Sequence, residues 1–158
     1  MDNGKALQAA IRGQDVVISA LGAGNSFKPA GLIEHSVPAI VRAMEAQGVR
    51  RLIFTSAYGV GATFNTVPLV PRIFMRLLLH DIYADKEAGE AHLYRSKLDW
   101  TIVYPVTLTN GPKTGGYRVG EHLALRGIPK ISRADVAHFL LSQMEDSTYL
   151  RKGVLIGK

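Results

Sequence analysis

The chain has 158 residues, of which 47% are apolar, and it carries a formal net charge of +6. This length suits one domain with a hydrophobic core, and the composition excludes a disordered chain. The sequence has no cysteine, which excludes disulfides and favours a cytoplasmic location, and no apolar run is long enough to cross a bilayer. Because the basic residues are scattered, we expect no nucleic-acid or membrane partner, and the charge favours an anionic small-molecule ligand.

Apolar periodicity and helix-ending residues predict alternating helices and strands along the chain. The predicted helices reach residue 11, run through 37–44 and cover 81–95, with an amphipathic segment at 72–79. The predicted strands are 16–21, 52–55, 100–104 and 154–156, with loops at 57–67 and 105–116 and a short β-hairpin across 117–131. Ser132 and Asp135 have the spacing of a capping box, which predicts a last helix through Met144. This order indicates a single α/β domain, residues 1–158, around a parallel sheet.

Three segments share one pattern, in which a short β-branched and apolar run changes abruptly to small or polar residues. Such runs are typical of strands buried on both faces of a parallel sheet. Ligands of open parallel sheets lie just beyond the carboxyl ends of the strands. We therefore expect the following residues to meet at one crevice: Ala20, Leu21 and Gly22; Thr55, Ser56, Ala57 and Tyr58; Tyr104, Pro105, Val106 and Thr107.

Ser56, Tyr58 and Lys86 are the candidate functional side chains, and each has a plainer alternative. Ser56 ends a buried strand and faces the expected crevice, although a serine there also caps turns. Tyr58 either stacks on a ligand or is an aromatic residue at the rim. Lys86 follows Tyr83 with the spacing Y-x-x-K, which differs from the Tyr-x-x-x-Lys of short-chain dehydrogenases. The alternative to a functional role is that Lys86 belongs to a solvated ion-pair face with Glu87 and Glu90.

Other chemistries find no support in the sequence. The segment TSAYG is not the G-x-S-x-G elbow of a hydrolase, and the five histidines lack metal-ligand spacing. The Gly-x-Gly segments at 22–24 and 59–61 are too short to be phosphate-binding fingerprints.

Four segments of the chain resemble the atypical short-chain dehydrogenase/reductase superfamily, in its NAD(P)H-binding, NmrA-like branch that includes biliverdin reductase B. The segments are DVVISALG at 15–22, RLIFTSAYGVG at 51–61, residues 85–119 and ISRADVAHFLL at 131–141. The resemblance implies a Rossmann-like parallel sheet with helices on both faces. It also implies NADP or NAD as cofactor, with NADP slightly preferred.

The resemblance further implies roles for the candidate residues. Ala20, Leu21 and Gly22 would pass the adenosine and diphosphate of the cofactor, and Lys86 would contact the nicotinamide ribose. Thr55 and Ser56 would lie where nicotinamide meets substrate, with Ser56 as a hydrogen-bond donor. The nicotinamide pocket would be walled by Tyr104, Pro105, Val106 and Thr107.

The chain departs from this family at its start, because such proteins begin with a strand, a glycine-rich turn and further elements before the segment that Met1 opens. A βαβ unit needs about 30 residues or more, so we expect roughly 50–60 residues, the first βαβαβ portion, to be missing. The strand at 16–21 would then be an exposed sheet edge, available to a homodimer partner or another pairing strand.

The sequence thus predicts NAD(P)H-dependent reduction of a small planar molecule such as a flavin, quinone or tetrapyrrole. The alternatives are an inactive fragment of such an enzyme, a non-catalytic dinucleotide-sensing protein and an NAD-dependent sugar epimerase or dehydratase.

Overall fold

The computed structural model describes residues 3–22, 24, 30–125 and 127–158. The helices are α1 Asn3–Ile11, α2 Leu32–Gln47, α3 Leu69–Leu78, α4 His80–Arg95 and α5 Arg133–Ser142, with a 3₁₀ helix at Gly61–Thr66. The strands are β1 Val16–Ser19, β2 Arg51–Thr55, β3 Asp99–Pro105, β4 Thr107–Thr109, β5 Arg118–Gly120, β6 Lys130–Ser132 and β7 Lys152–Gly157. Within these residues, no helix combines the length and the apolar character that a bilayer crossing requires.

The main sheet has five strands in the order β1-β2-β3-β7-β5. The pairs β1–β2, β2–β3 and β3–β7 are parallel, and only β5 runs antiparallel, against β7. Strands β4 and β6 form a separate parallel pair beside it. This topology confirms the predicted α/β fold built on a parallel sheet.

Side chains of the central strands alternate between two apolar layers, as the pleat requires. Leu52 and Phe54 of β2 join one layer with residues of α2 and α4, whereas Ile53 joins the other layer with Phe139 and Leu140 of α5. Both faces of the sheet are therefore covered by helices, which explains why the strands are apolar without alternation in the sequence.

Helices α2 and α4 approach each other closely at Gly89. A Cβ at this position would lie 2.6 Å from Ile33 Cγ2 and 3.1 Å from Val37 Cγ2, so only glycine leaves the two helices at their present distance. The contact also lets Asp85 of α4 accept hydrogen bonds from the backbone N–H groups of Ile33 and Glu34, at 3.1 and 2.9 Å. Asp85 thus satisfies two free donors in the first turn of α2.

The predicted hairpin at 117–131 is wrong. Strand β5 adds to the main sheet beside β7, while β6 pairs with β4, so the two strands never pair with each other. Nine residues separate the two strands in the sequence, and each strand pairs with another part of the chain.

Other boundaries differ by smaller amounts. Strand β1 ends at Ser19 rather than residue 21, the 57–67 loop contains the 3₁₀ helix, and the 105–116 loop contains β4. Helix α5 ends at Ser142, two residues before the predicted end. Its predicted cap is confirmed, because Ser132 Oγ accepts a hydrogen bond from the Asp135 N–H at 2.9 Å.

Candidate functional site

The carboxyl ends of β1, β2 and β3 lie side by side, since these strands are parallel neighbours. Backbone hydrogen bonds join the segments that follow β2 and β3: Ser56 N–H donates to Val103 O at 2.8 Å and Tyr58 N–H donates to Pro105 O at 3.0 Å. The structure therefore brings together two of the three predicted segments directly. The third segment, which contains Ala20, Leu21 and Gly22, follows the adjacent strand and is exposed.

Ser56 is held by a buried carboxyl group on α4. Its side chain is only 4% exposed, and its Oγ donates a hydrogen bond to Glu90 Oε1 at 2.5 Å. Glu90 is fully buried, and its Oε2 accepts hydrogen bonds from Tyr104 at 2.9 Å and Tyr94 at 3.2 Å. Ser56 is therefore more than a turn cap, because its hydroxyl belongs to a network of four side chains between the sheet and α4.

The protonation of this network is set mainly by burial. Burial raises the pKa of Glu90, although the hydrogen bonds from Ser56, Tyr104 and Tyr94 and the charge of Lys86 act in the opposite direction. Burial, followed by the charge of Glu90, raises the pKa of Tyr104, and burial is also the main cause of the raised pKa of Tyr94. Both phenols therefore remain neutral donors at ordinary pH.

Lys86 is buried, with 8% of its surface exposed, so the expected solvated ion-pair face is wrong for this residue and for Glu90. Both lie on the face of α4 that packs toward the sheet, and only Glu87 is solvent-exposed. Burial lowers the pKa of Lys86, while Glu90 and Asp85 raise it. Among the described residues, no hydrogen-bond or ion-pair partner holds its ammonium group.

Tyr58 is half-buried, and its hydroxyl donates to Thr66 O at 2.9 Å. Tyr83 in turn donates to the backbone oxygen of Tyr58 at 3.1 Å. These contacts attach the 3₁₀ segment to the end of β2. They favour the interpretation of Tyr58 as an aromatic residue at the rim, whose hydroxyl is already engaged.

A cleft of about 470 Å³ opens beside this network. Residues of two elements line it: Gly59, Val60, Gly61, Phe64 and Asn65 before and within the 3₁₀ helix, and His80, Tyr83, Ala84 and Glu87 of α4. None of the predicted site residues lines the cleft. Gly61 connects the cleft to the network, because a Cβ on this residue, whose φ is +49°, would collide with Glu90 Oε2.

Sequence reasoning missed Glu90 as a site residue. In the sequence it is one of several charged residues in the segment DKEAGE, which has the composition of a solvated helix face. The signal that could have identified it is its spacing of four from Lys86, which places both groups on one side of a helix.

Comparison with known proteins identifies the family. The sequence profile of a family described as NAD(P)H-binding matches residues 1–147. The chain belongs to this NAD(P)H-binding family. The match confirms the predicted membership of an NAD(P)H-binding family and supports the predicted function as an NAD(P)H-dependent oxidoreductase.

Solved structures with the same fold include three informative relatives. ChuY from Escherichia coli O157:H7, described as an anaerobillin reductase, has a TM-score of 0.78 at 20% identity, over 98% of this chain and 70% of its own. A Bacillus halodurans protein assigned provisionally as an NAD-dependent epimerase/dehydratase has a TM-score of 0.75 at 26% identity, and the match covers 96% of this chain and 67% of that protein. A short-chain dehydrogenase/reductase from Veillonella parvula in complex with NADP has a TM-score of 0.69 at 22% identity, and the match covers 99% of this chain and 69% of that protein. The chain thus spans 67–70% of the length of these relatives.

The residues at the strand ends fit a nicotinamide dinucleotide. Ser19 Oγ at the end of β1 and Thr55 Oγ1 at the end of β2 are buried and have no hydrogen-bond partner. Buried hydroxyls are normally satisfied, so these two at the strand ends are available to a polar ligand. The unpartnered ammonium of Lys86 suits a ribose hydroxyl or a phosphate in the same way.

Proposed function

We propose that this protein is an NAD(P)H-dependent reductase of a small planar organic molecule, such as a flavin, quinone or tetrapyrrole. The observation that carries the proposal is the Ser56 hydroxyl, fixed by a buried carboxyl at the carboxyl end of β2 in a chain of the NAD(P)H-binding family. Bound NAD(P)H supplies a hydride, and a hydroxyl in this place suits the proton that reduction also requires. The description of ChuY as an anaerobillin reductase supports a tetrapyrrole-like substrate, and a cytoplasmic location suits such an enzyme.

The cofactor in this proposal lies across the ends of β1, β2 and β3. Ala20, Leu21 and Gly22 are exposed and free to follow its adenosine and diphosphate, and Thr55 and Lys86 each offer an unpartnered polar group. NADP is the preferred form, which the NADP complex of the Veillonella parvula relative supports.

The wall of the nicotinamide pocket is formed by the segment after β3. The Tyr104 hydroxyl is committed to Glu90, the Pro105 carbonyl accepts from Tyr58 N–H, and the Val106 N–H donates to Ile156 O, so the exposed Thr107 is the group left to face the ring.

The cleft beside the 3₁₀ helix, which Ser56 does not line, offers space for the part of a substrate that extends away from the end of β2. Its volume lies within the range of about 300–1,000 Å³ that is usual for small-molecule sites. Phe64 and Tyr83 contribute aromatic surface on which a planar molecule stacks, while His80 and Glu87 add polar groups at its edge.

Two measurements on the chain test the proposal. Calorimetric titration with NADPH and NADH measures cofactor binding and preference, and reduction of a flavin, a quinone dye and a linear tetrapyrrole measures turnover. We expect NADPH binding and oxidation coupled to at least one acceptor. Absence of cofactor binding, or binding without oxidation by any acceptor, contradicts the proposal.

The rival functions give different outcomes in the same assays. A dinucleotide-sensing protein binds the cofactor and oxidises none of it. The Bacillus halodurans relative keeps an epimerase or dehydratase as the second candidate, and such an enzyme converts a nucleotide sugar with no net change in cofactor absorbance.

A further inference from the structure

A chain of hydrogen bonds runs from Ser56 to the protein surface, and we name it the carboxyl–hydroxyl chain. It consists of Ser56, Glu90, Tyr104 and Tyr94. Ser56 Oγ and the two phenols bind opposite oxygens of the Glu90 carboxyl, and the hydroxyls of Tyr94 and Tyr104 are 3.3 Å apart. Three members are buried, whereas Tyr94 is 45% exposed. The carboxyl–hydroxyl chain therefore runs from the end of β2 to a tyrosine at the protein surface.

Burying the carboxyl of Glu90 costs folding free energy, which indicates that this group has a role other than filling space. A fully buried carboxylate loses its hydration, and its hydrogen bonds recover only part of that cost. The groups that face it are Ser56 after β2, Tyr104 of β3, Gly61 of the 3₁₀ helix, and Lys86 and Tyr94 of α4. Burial favours the acid, whereas the hydrogen bonds from Ser56, Tyr104 and Tyr94 and the charge of Lys86 favour the ionised form, and the balance raises the pKa of Glu90. Its hydrogen bonds give the carboxyl a hydroxyl partner on each of its two oxygens, which is the geometry of a group that takes a proton on one side and gives one on the other.

We propose that Glu90 relays protons to Ser56 from solvent at Tyr94. This inference rests on the proposed function. When a substrate receives the hydride, the Ser56 O–H bond breaks and its proton completes the reduced product. In its acid form Glu90 donates from Oε1 to Ser56 Oγ, which leaves the Ser56 hydrogen free for the substrate, and Ser56 Oγ takes the Glu90 proton as it gives its own. The Glu90 carboxylate then regains a proton from water through the Tyr94 hydroxyl, which passes on one proton as it receives another and so stays neutral. Each step moves one proton, and the two electrons come only from the hydride of the cofactor.

Glu90 is a positioning and relay residue in this scheme, because it acts through Ser56 and does not contact the substrate. Its side chain lies below Gly61, which separates it from the cleft. A purely structural role would lower stability when Glu90 is changed, but it would not make the reaction sensitive to proton transfer from solvent.

The first test needs neither cofactor nor substrate. Infrared spectroscopy of the protein across a pH series follows the protonated-carboxyl band, which ordinary carboxyl groups lose at about pH 4 to 5. We expect part of this band to persist to a higher pH in the original protein and in E45Q, a change at an exposed glutamate of α2, than in E90Q. The relay is overturned if the band disappears at the same pH in E90Q and in the original protein.

The second test uses dye reduction in H₂O and D₂O. We expect E90Q to lower kcat by about 10²-fold, the low end of the usual contribution of general acid–base catalysis, with E90D restoring part of it. Y94F changes the exposed end of the carboxyl–hydroxyl chain and should lower kcat less than E90Q does. It should raise the solvent isotope effect on kcat, while the isotope effect measured with deuterated cofactor should not increase. If E90Q and Y94F behave as E45Q does, the relay is wrong. If no acceptor is reduced at all, the proposed function fails, and the infrared result still decides the state of Glu90.

Discussion

The hydroxyl of Ser56 donates to Glu90, and it lies at the carboxyl end of a buried strand. Removing it with S56A deletes one positioned donor and one of the three hydrogen bonds that the described residues make to the buried Glu90 carboxyl. We therefore expect kcat of dye reduction to fall by about 10-fold or more, and the free energy of unfolding to fall by about 1–3 kcal/mol without loss of the fold. S36A, a change at a half-buried serine of α2, is the control. Unchanged kinetics in S56A would remove Ser56 from the site.

Lys86 provides a second prediction at this scale. Its ammonium group has no hydrogen-bond partner among the described residues, so we propose a cofactor ribose or phosphate as its partner. K86A should weaken NADPH binding by roughly 1–3 kcal/mol, the value of a charge-assisted hydrogen bond. K97A, at an exposed lysine after α4, is the matched control and should bind as the original chain does. Calorimetric titration measures both, and equal Kd values for the two variants would refute the role.

Sequence patterns identify single residues only where the local signal and the burial agree. Ser56 was predicted because it follows an apolar strand directly. Glu90 was not, because the sequence of α4 carries charges on several sides and does not show which of them faces the sheet. The burial of Lys86 and Glu90 depends on how α4 packs against β2 and β3, and that packing is a tertiary property.

Among the elements, the loop 110–116 depends on one carboxylate of α5. Asp135 is fully buried and accepts hydrogen bonds from Thr114 N–H at 2.7 Å, Gly115 N–H at 2.8 Å and the Thr114 hydroxyl at 2.9 Å. Burial opposes ionisation of Asp135, but the backbone hydrogen bonds from Gly115 and Thr114 outweigh it and hold its pKa below the usual range. The ionised side chain therefore fixes the loop to the helix.

This arrangement predicts a pH-dependent stability. A carboxyl whose pKa is lower in the folded state stabilises the fold above the unfolded pKa of about 3.9, and this stabilisation is lost as the pH falls below that value. D135N should therefore lower the urea midpoint at about pH 6, and its difference from the original chain should shrink below about pH 4. D15N, at an exposed aspartate, is the control. A difference independent of pH would show that Asp135 is not ionised in the fold.

Element types were easier to predict than strand pairing. The apolar runs of β2 and β3 and the capping box of α5 are local signals, and all three were found. The pairing of β5 with β7 joins residues more than 30 positions apart, for example Val119 with Ile156. No local pattern encodes such a partner, and proximity in sequence favoured the incorrect hairpin.

On the scale of the whole molecule, β1 forms one edge of the main sheet, and Val16, Val17 and Ile18 are half-buried there. An apolar edge strand with free N–H and C=O groups recruits another strand. We propose that two copies of the chain, or the chain and another strand, pair through this edge. Light scattering should show a species larger than a monomer.

A charge on the edge should prevent this pairing, so I18K should scatter as a monomer. A second apolar surface serves as the comparison: helix α3 exposes Leu69, Ile73 and Leu77 on one stripe. I73K should retain the association, and circular dichroism should confirm that both variants are folded. Loss of association in I73K alone would move the interface to α3.

Gly89 has a consequence that reaches across the molecule. This residue directly precedes Glu90, and the hydrogen atom in place of its side chain keeps α4 close to α2. Helix α4 carries Lys86 one turn before Gly89 and Glu90 immediately after it, so one added methyl group would displace both groups relative to Ser56. Position 89 therefore acts as a spacer that sets the dimensions of the site although its own side is turned toward α2. During divergence of the family, a change there could retune catalysis while every residue that touches a ligand stayed the same.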